Sequence, residues 1–162
     1  MMEALLSLAV FVLLNFLTAL SGAVFKPGVW YERLDKPPWN PPNWLFPPAW
    51  TLLFCTIAVS GWLVYRTVGL EGAGATALLV YVIHLGFNAG WSAVFFGLRK
   101  IGWGMVEVLG LWASIVATMA VFYPINPVAS YLLVPYLCWV TFAAALNFAI
   151  WRRNRTGIPA RA

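Results

Sequence analysis

Five long apolar stretches alternate with shorter polar segments along the chain. They cover residues 4–25, 48–65, 75–98, 102–123 and 129–151. A helix needs about 20 consecutive apolar residues to cross a bilayer, and each stretch is close to that length. Transmembrane strands would alternate apolar and polar positions, whereas residues 77–83 are apolar at every position. The pattern therefore predicts an all-α fold, an integral membrane bundle of five transmembrane helices in a single domain over residues 1–162.

The composition supports this prediction. Of the 162 residues, 62% are hydrophobic and 9% are charged, whereas an ordinary soluble domain has about 25% charged residues. These values exclude a water-soluble monomer and leave no material for a separate water-soluble catalytic domain. We interpret residues 4–25 as a retained span, because no Lys or Arg precedes them and a signal-peptide core is only about 7–15 residues long.

The basic residues predict the orientation of the bundle. Nine of the ten fall on the face that contains the first loop, the third loop and the C-terminal tail at residues 152–162: Lys26, Arg33, Lys36, Arg99, Lys100, Arg152, Arg153, Arg155 and Arg161. Only Arg66 lies on the opposite face. The positive-inside rule then predicts an outside N-terminus and a cytoplasmic C-terminus, in a bacterial cell membrane or, alternatively, an outer membrane. Membrane insertion and contact with lipid explain the net charge of +5, so we expect no nucleic-acid partner.

The loop at residues 26–47 is rich in proline and aromatic residues. One interpretation is an interfacial belt, because Trp and Tyr favour the headgroup region of a bilayer. A second is a lid over the mouth of the bundle, since six prolines limit the freedom of the backbone. A weaker alternative is an SH3-type ligand, because Pro38 and Pro41 form a PxxP motif.

Few reactive side chains fall within the predicted spans, namely Asn15, His84, Asn88, Glu107 and Asn147. They include no carboxylate pair, no Ser/His/Asp arrangement, no Gly-rich phosphate loop and no set of metal ligands. We therefore expect no metal site and no required cofactor. The two cysteines, Cys55 and Cys138, are interpreted as small packing residues.

The third span has two distinct faces. His84, Asn88, Trp91 and Phe95 form one stripe at offsets 0, 4, 7 and 11, and the same offsets place four small residues on the opposite side: Gly86, Gly90, Ala93 and Gly97. We interpret the small face as a homodimer seam, with packing against another helix of the same chain as the alternative. On the polar face, Asn88 is a pocket candidate, whereas a helix-to-helix hydrogen bond is favoured for His84. Glu107 either pairs with His84 or lies near a membrane surface.

The second and fifth spans carry aromatic residues in similar stripes. Their members are Trp50, Phe54, Ile57 and Gly61 in the second span and Trp139, Ala143, Leu146 and Ile150 in the fifth. With the third span, these stripes predict either a cavity for a planar macrocycle or a sterol, or a tightly packed core.

Three groups of residues resemble one known family. They are Trp30-Tyr31, Leu34, Lys36-Pro37, Trp39, Pro41-Pro42, Phe46 and Trp50; then Phe87-Asn88, Trp91 and Phe95-Phe96; then Pro135-Tyr136-Leu137, Trp139, Phe142-Ala143 and Leu146-Asn147. In order and spacing they resemble the first loop and the second, third and fifth helices of the translocator protein family, also known as TspO or the peripheral-type benzodiazepine receptor. The resemblance covers nearly the whole chain.

This resemblance implies a homodimeric five-helix bundle with a pocket closed by the first loop. Its ligands would be protoporphyrin IX or a related tetrapyrrole, sterols and isoquinoline- or benzodiazepine-type compounds. The ligand-binding positions carried over are Tyr31, Trp50, Phe54, Asn88, Trp91, Trp139 and Ala143. The implied function is that of a sensor, regulator or carrier, and the alternative is a light- and oxygen-dependent porphyrin-degrading enzyme with Trp50 and Trp139 as its catalytic residues.

The family's sterol motif departs from its usual form in this chain. The motif has the form Leu/Val, Tyr, Lys/Arg, and it corresponds here to Leu146, Phe148 and Arg152. Because Phe148 lacks the tyrosine hydroxyl, the segment is also explained as a helix end with a cationic anchor.

Overall fold

Five long helices run alongside one another in the computed structural model, which describes residues 2–155. They are α1 (Met2–Val24), α3 (Phe46–Val68), α4 (Ala73–Ser92), α5 (Ile101–Phe122) and α7 (Val134–Asn154), with short helices α2 (Val29–Glu32) and α6 (Pro127–Tyr131) between them. The five are long and apolar enough to cross a membrane, and the described residues form no strand. The predicted all-α fold with five spanning helices is confirmed. Residues 156–162, which include Arg161 of the predicted tail, lie outside the described part of the chain.

The helices begin and end within a few residues of the predicted spans. The second span was predicted over residues 48–65, and α3 continues to Val68. It ends at Gly69, whose φ of +68° is a conformation that glycine adopts without steric cost. At the start of α6, the side chain of Asn126 accepts a hydrogen bond from the Ala129 N–H at 3.2 Å, while Pro127 occupies the first turn.

The five long helices are not arranged in chain order. α1 packs between α3 and α4, and α5 packs between α4 and α7. The remaining pair, α3 and α7, makes the least extensive contact among the neighbouring long helices. The bundle is therefore packed least closely between α3 and α7.

One end of the bundle, which contains the turn between α3 and α4, is tightly packed, and we call it the closed half. A Cβ atom added at Gly61 of α3 would lie 2.8 Å from the Tyr81 ring and 2.9 Å from the Phe11 ring. Tyr81 stacks on Phe122 of α5 with a centroid separation of 6.0 Å. The absence of a side chain at Gly61 thus allows α1, α3 and α4 to approach closely.

The two cysteines correct one prediction. Cys55 and Cys138 are both exposed on the molecule rather than packed in its interior. In α3 the buried residues include Leu53 and Ile57, whereas Cys55 between them is exposed and lines the cavity described below. Each cysteine still serves as a small apolar residue, but neither is buried.

Candidate functional site

A cavity of about 780 Å³ lies in the opposite end of the bundle, which we call the lid half. α1, α3, α4 and α7 form its walls, and the loop between α1 and α3 contributes to its rim. This volume falls within the range of about 300–1,000 Å³ typical of small-molecule sites. All seven residues carried over as ligand contacts line it: Tyr31, Trp50, Phe54, Asn88, Trp91, Trp139 and Ala143. The structure brings them together, and their role in binding stays a prediction.

Aromatic rings form the wall contributed by α3 and α7. The indoles of Trp50 and Trp139 meet edge to face, with centroids 6.5 Å apart and an interplanar angle of 84°. Phe54 lies 5.6 Å from Trp50, and Phe46 lies 5.9 Å from Trp139. Rings from both helices therefore meet at one level, and together they give the cavity an aromatic wall.

Asn88 and Trp91 of α4 supply polar groups to this mainly apolar cavity. The side-chain amide of Asn88 donates a hydrogen bond to the Tyr136 hydroxyl at 2.6 Å, which fixes its position between α4 and α7. The indole N–H of Trp91 is buried and has no hydrogen-bond partner among the described residues. An unpaired buried donor is costly, and this N–H is covered by neighbouring atoms.

The end of α4 contains a feature that the helical stripe did not predict. Residues Ala93–Gly97 form a π-helical segment, with the Leu98 N–H donating to the Ala93 carbonyl at 2.8 Å. This wider turn allows both Phe95 and Phe96 to line the cavity, although only Phe95 belonged to the predicted stripe. Their rings are 4.9 Å apart.

α1 also lines the cavity, and the sequence analysis did not assign it to the site. Asn15, Thr18 and Gly22 form its inner face, at offsets of 0, 3 and 7 residues. The Asn15 amide donates to the Tyr81 hydroxyl at 2.6 Å, and its Oδ1 atom has no partner among the described residues. The stripe of small and polar residues in an otherwise apolar span was the available signal.

The loop at residues 26–47 folds over the mouth of the cavity. Tyr31 is 5% exposed, and its ring packs edge to face against Phe96 with centroids 5.5 Å apart. Its hydroxyl donates to Asn40 Oδ1 at 3.2 Å, and burial raises the pKa of this hydroxyl above its usual range. Lys36 Nζ donates to the Tyr31 carbonyl at 2.8 Å and lies 4.7 Å from the centre of its ring. Trp44, by contrast, is 71% exposed, so lid and belt features occur in different residues of one loop.

His84 lies outside the cavity lining. It is completely buried between the rings of Tyr81 and Tyr136, at centroid distances of 5.2 and 5.8 Å. Its Nδ1 atom is 2.7 Å from the Tyr81 carbonyl of the same helix, so the expected hydrogen bond to another helix is not the one formed. Glu107 contacts Gly90 rather than His84, and no ion pair joins the two among the described residues.

The four small residues of the third span do not form one free surface. A Cβ atom at Gly90 would lie 2.6 Å from Glu107 Oε1, and one at Gly97 would lie 2.7 Å from the Phe25 ring. Gly90 and Gly97 therefore pack against residues of the same chain, as in the alternative to the homodimer seam. Gly86 is exposed with no atom within 4 Å of an added Cβ, and the homodimer stays a prediction.

The residues of the sterol-like motif point in different directions. Leu146 is buried and lines the cavity, whereas Phe148 is 46% exposed and Arg152 is exposed on the outside of α7. Two residues along a helix correspond to a rotation of about 200°, which separates Leu146 from Phe148. The motif does not form a single local site in this chain.

Comparisons with known proteins give a consistent result. The TspO/MBR family model matches residues 7–152. The tryptophan-rich protein TspO of Chlorobaculum tepidum is 42% identical over 157 residues, covering 95% of this chain and 99% of that protein. The tryptophan-rich sensory protein of Cereibacter sphaeroides is 42% identical over 144 residues, covering 89% of each chain. The translocator protein of Homo sapiens is 36% identical over 126 residues, covering 77% of this chain and 75% of that protein.

Proposed function

The chain belongs to the TspO/MBR family, and from this premise we propose that it binds porphyrins or related tetrapyrroles in the lid-half cavity. The observation that carries the proposal is the cavity itself, which combines about 780 Å³ of space with rings from α3, α4 and α7 and a cover formed by Tyr31. A planar macrocycle offers two broad apolar faces, and stacking on aromatic side chains is the contact that such faces favour. The protein would act as a sensor, regulator or carrier of this ligand.

The charge at the mouth of the cavity fits the carboxylate substituents of such a molecule. At the mouth, Lys26 is the only charged side chain among the described residues that line the cavity. We therefore propose that the macrocycle lies between the aromatic walls and that its carboxylate substituents are directed towards Lys26.

A dark, anaerobic titration tests this proposal. Protoporphyrin is added to the purified protein while tryptophan quenching and the Soret band are followed, for wild type, Trp139→Leu and Asn88→Leu. Trp103→Leu is the matched control, because Trp103 is 65% exposed on α5 and does not line the cavity. We expect saturable binding that is weakened at least about tenfold in the two cavity variants and unchanged in the control. Non-saturating uptake that is equal in all four proteins would contradict the proposal.

A second candidate function is favoured by the contact between Trp50 and Trp139. Their edge-to-face arrangement, with centroids 6.5 Å apart, places two oxidisable indoles in one cavity wall. In light-dependent degradation, an indole would give one electron to the excited porphyrin, dioxygen would add to the resulting porphyrin radical anion, and the adduct would return one electron to the indole radical cation. Both oxygen atoms would then stay on the macrocycle, one of whose carbon–carbon bonds would break as the adduct opens. Illumination of the complex in air should then yield a defined product that is lost in Trp50→Phe and Trp139→Phe. Bleaching at the rate of free porphyrin in detergent would exclude this function.

The protein is an integral membrane protein, and we propose a bacterial cell membrane with the N-terminus outside and the C-terminus in the cytoplasm. The nine-to-one distribution of basic residues supports this orientation and contact with anionic lipid.

A sterol remains an alternative ligand for the cavity. We propose that a homodimer would form through the face of α4 that contains the exposed Gly86. A lower oligomer mass in Gly86→Leu would support this seam.

A further inference from the structure

The last residue of α7 fastens the lid to the bundle from outside the cavity. Asn154 is 7% exposed and does not line the cavity. Its Oδ1 atom accepts a hydrogen bond from the Asp35 N–H at 3.0 Å, and its Nδ2 group donates to the Asp35 carbonyl at 3.0 Å and to the Ile150 carbonyl at 2.8 Å. One side-chain amide thus binds both backbone groups of a single loop residue.

This pair of bonds differs from the neighbouring ion pair. Arg153 approaches the Asp35 carboxylate at 3.4 Å, but the two side chains are 42% and 40% exposed. An exposed ion pair of this kind contributes little to stability. The bonds of Asn154 go to the backbone, are partly shielded from solvent and do not require the Asp35 side chain.

The fastened segment is the one that covers the cavity. Leu34, next to Asp35, is 1% exposed and belongs to a cluster with Tyr31 and with Phe95, Leu146 and Ile150 of the helices. The hydrogen bonds described for Tyr31, Lys36 and Asn40 stay within the loop, whereas those of Asp35 join the loop to α7. Loss of the bonds at Asp35 would therefore weaken the attachment of the loop to α7 without dissolving its internal structure.

We infer that Asn154 is a positioning residue that holds the lid closed and thereby sets the rate at which a ligand enters and leaves the cavity. The gating part of this inference rests on the proposed function, because it needs a ligand in the cavity. If one gate controls both entry and exit, its release speeds both rates and leaves the equilibrium affinity nearly unchanged.

The test compares Asn154→Ala with Asp35→Ala in the full-length protein. The first variant removes both bonds to the loop backbone, whereas the second removes the ion pair with Arg153 and keeps those bonds. Hydrogen exchange of residues 30–40, measured without ligand, reports lid opening, and exchange in α3–α5 reports whether the bundle is folded. We expect exchange of the lid to increase about tenfold in Asn154→Ala, with α3–α5 unchanged and Asp35→Ala close to wild type.

Stopped-flow release of protoporphyrin provides the second measurement. In Asn154→Ala we expect association and release both to be about tenfold faster, with Kd within about threefold of wild type. Unchanged lid exchange in this variant, or an equal increase in Asp35→Ala, would overturn the inference, as would faster lid exchange with unchanged release. Failure of protoporphyrin to bind any of the proteins would count against the proposed function, while the exchange data would still decide whether Asn154 holds the lid.

Discussion

The closed half and the lid half of the bundle use the same residue types and pack in opposite ways. In the closed half, the Tyr81 ring faces Gly61, so helices meet where one of them has no side chain. In the lid half, the ring of Trp50 faces the ring of Trp139. The absence of a side chain at Gly61 lets α3 approach α4 closely, whereas the two indoles occupy the space between α3 and α7. Helices of similar composition therefore pack closely at one end of the bundle and leave a cavity at the other.

Substitution of Gly61 should have the largest effect, because it acts on the close approach that seals the closed half. In Gly61→Ala the new methyl group would lie 2.8 Å from the Tyr81 ring, which cannot move away easily because its hydroxyl is hydrogen-bonded to Asn15 and to the Ile57 carbonyl. We expect a destabilisation of about 1–3 kcal/mol, measured as a lower Tm in detergent. Gly28→Ala is the control, since nothing lies within 4 Å of its added Cβ and its backbone is extended. Equal Tm values for the two variants would break the distinction between the halves.

Filling the cavity should lower porphyrin affinity without lowering Tm, in contrast to the substitution at Gly61. Ala143 lines the cavity, and in Ala143→Phe a ring would occupy space that the helices already leave open. We expect porphyrin affinity to fall at least about tenfold while Tm stays equal or rises. Ala145→Phe, at an exposed position of the same helix, should leave both quantities unchanged. A marked loss of Tm in Ala143→Phe would mean that the lid half is as tightly packed as the closed half.

The sequence predicted the five helices because bilayer crossing imposes long apolar runs that need no knowledge of tertiary contacts. The family resemblance also pointed to the seven residues that line the cavity, and the helical period alone placed six of them, all except Tyr31 of the loop, on stripes of the spans. The wall from α1 was missed because Asn15 and Thr18 are isolated polar residues whose partners lie on other helices. Phe96 was missed because the π-helical segment changes the period within one turn. The role of Asn154 depends on a loop conformation that no periodicity encodes.

Tyr136 lies where the closed half meets the lid half, and we expect its hydroxyl to contribute to the stability of the protein. This residue is fully buried, and its hydroxyl accepts the hydrogen bond from Asn88 at the floor of the cavity. Tyr136→Phe leaves the Asn88 amide without this partner, so we expect a destabilisation of about 1–2 kcal/mol and a change in porphyrin affinity of only a few fold. Tyr131→Phe provides the control, because Tyr131 is 59% exposed. A tenfold change in affinity with unchanged Tm would instead assign Tyr136 to the site rather than to the boundary.

The smallest effect is expected at the mouth, where Lys26 is exposed to solvent. An ion pair between its ammonium group and a ligand carboxylate contributes about 0.5–1 kcal/mol under such conditions, which corresponds to a two- to fivefold loss of affinity in Lys26→Gln. The dimethyl ester of protoporphyrin has no carboxylate, so its affinity should be the same for wild type and variant. Lys100→Gln controls for general charge, because Lys100 is exposed but does not line the cavity. Higher salt should reduce the difference for the free acid alone. If Lys26→Gln weakened the ester as much as the acid, the side chain would contribute by packing, and the ligand's carboxylates would lie elsewhere.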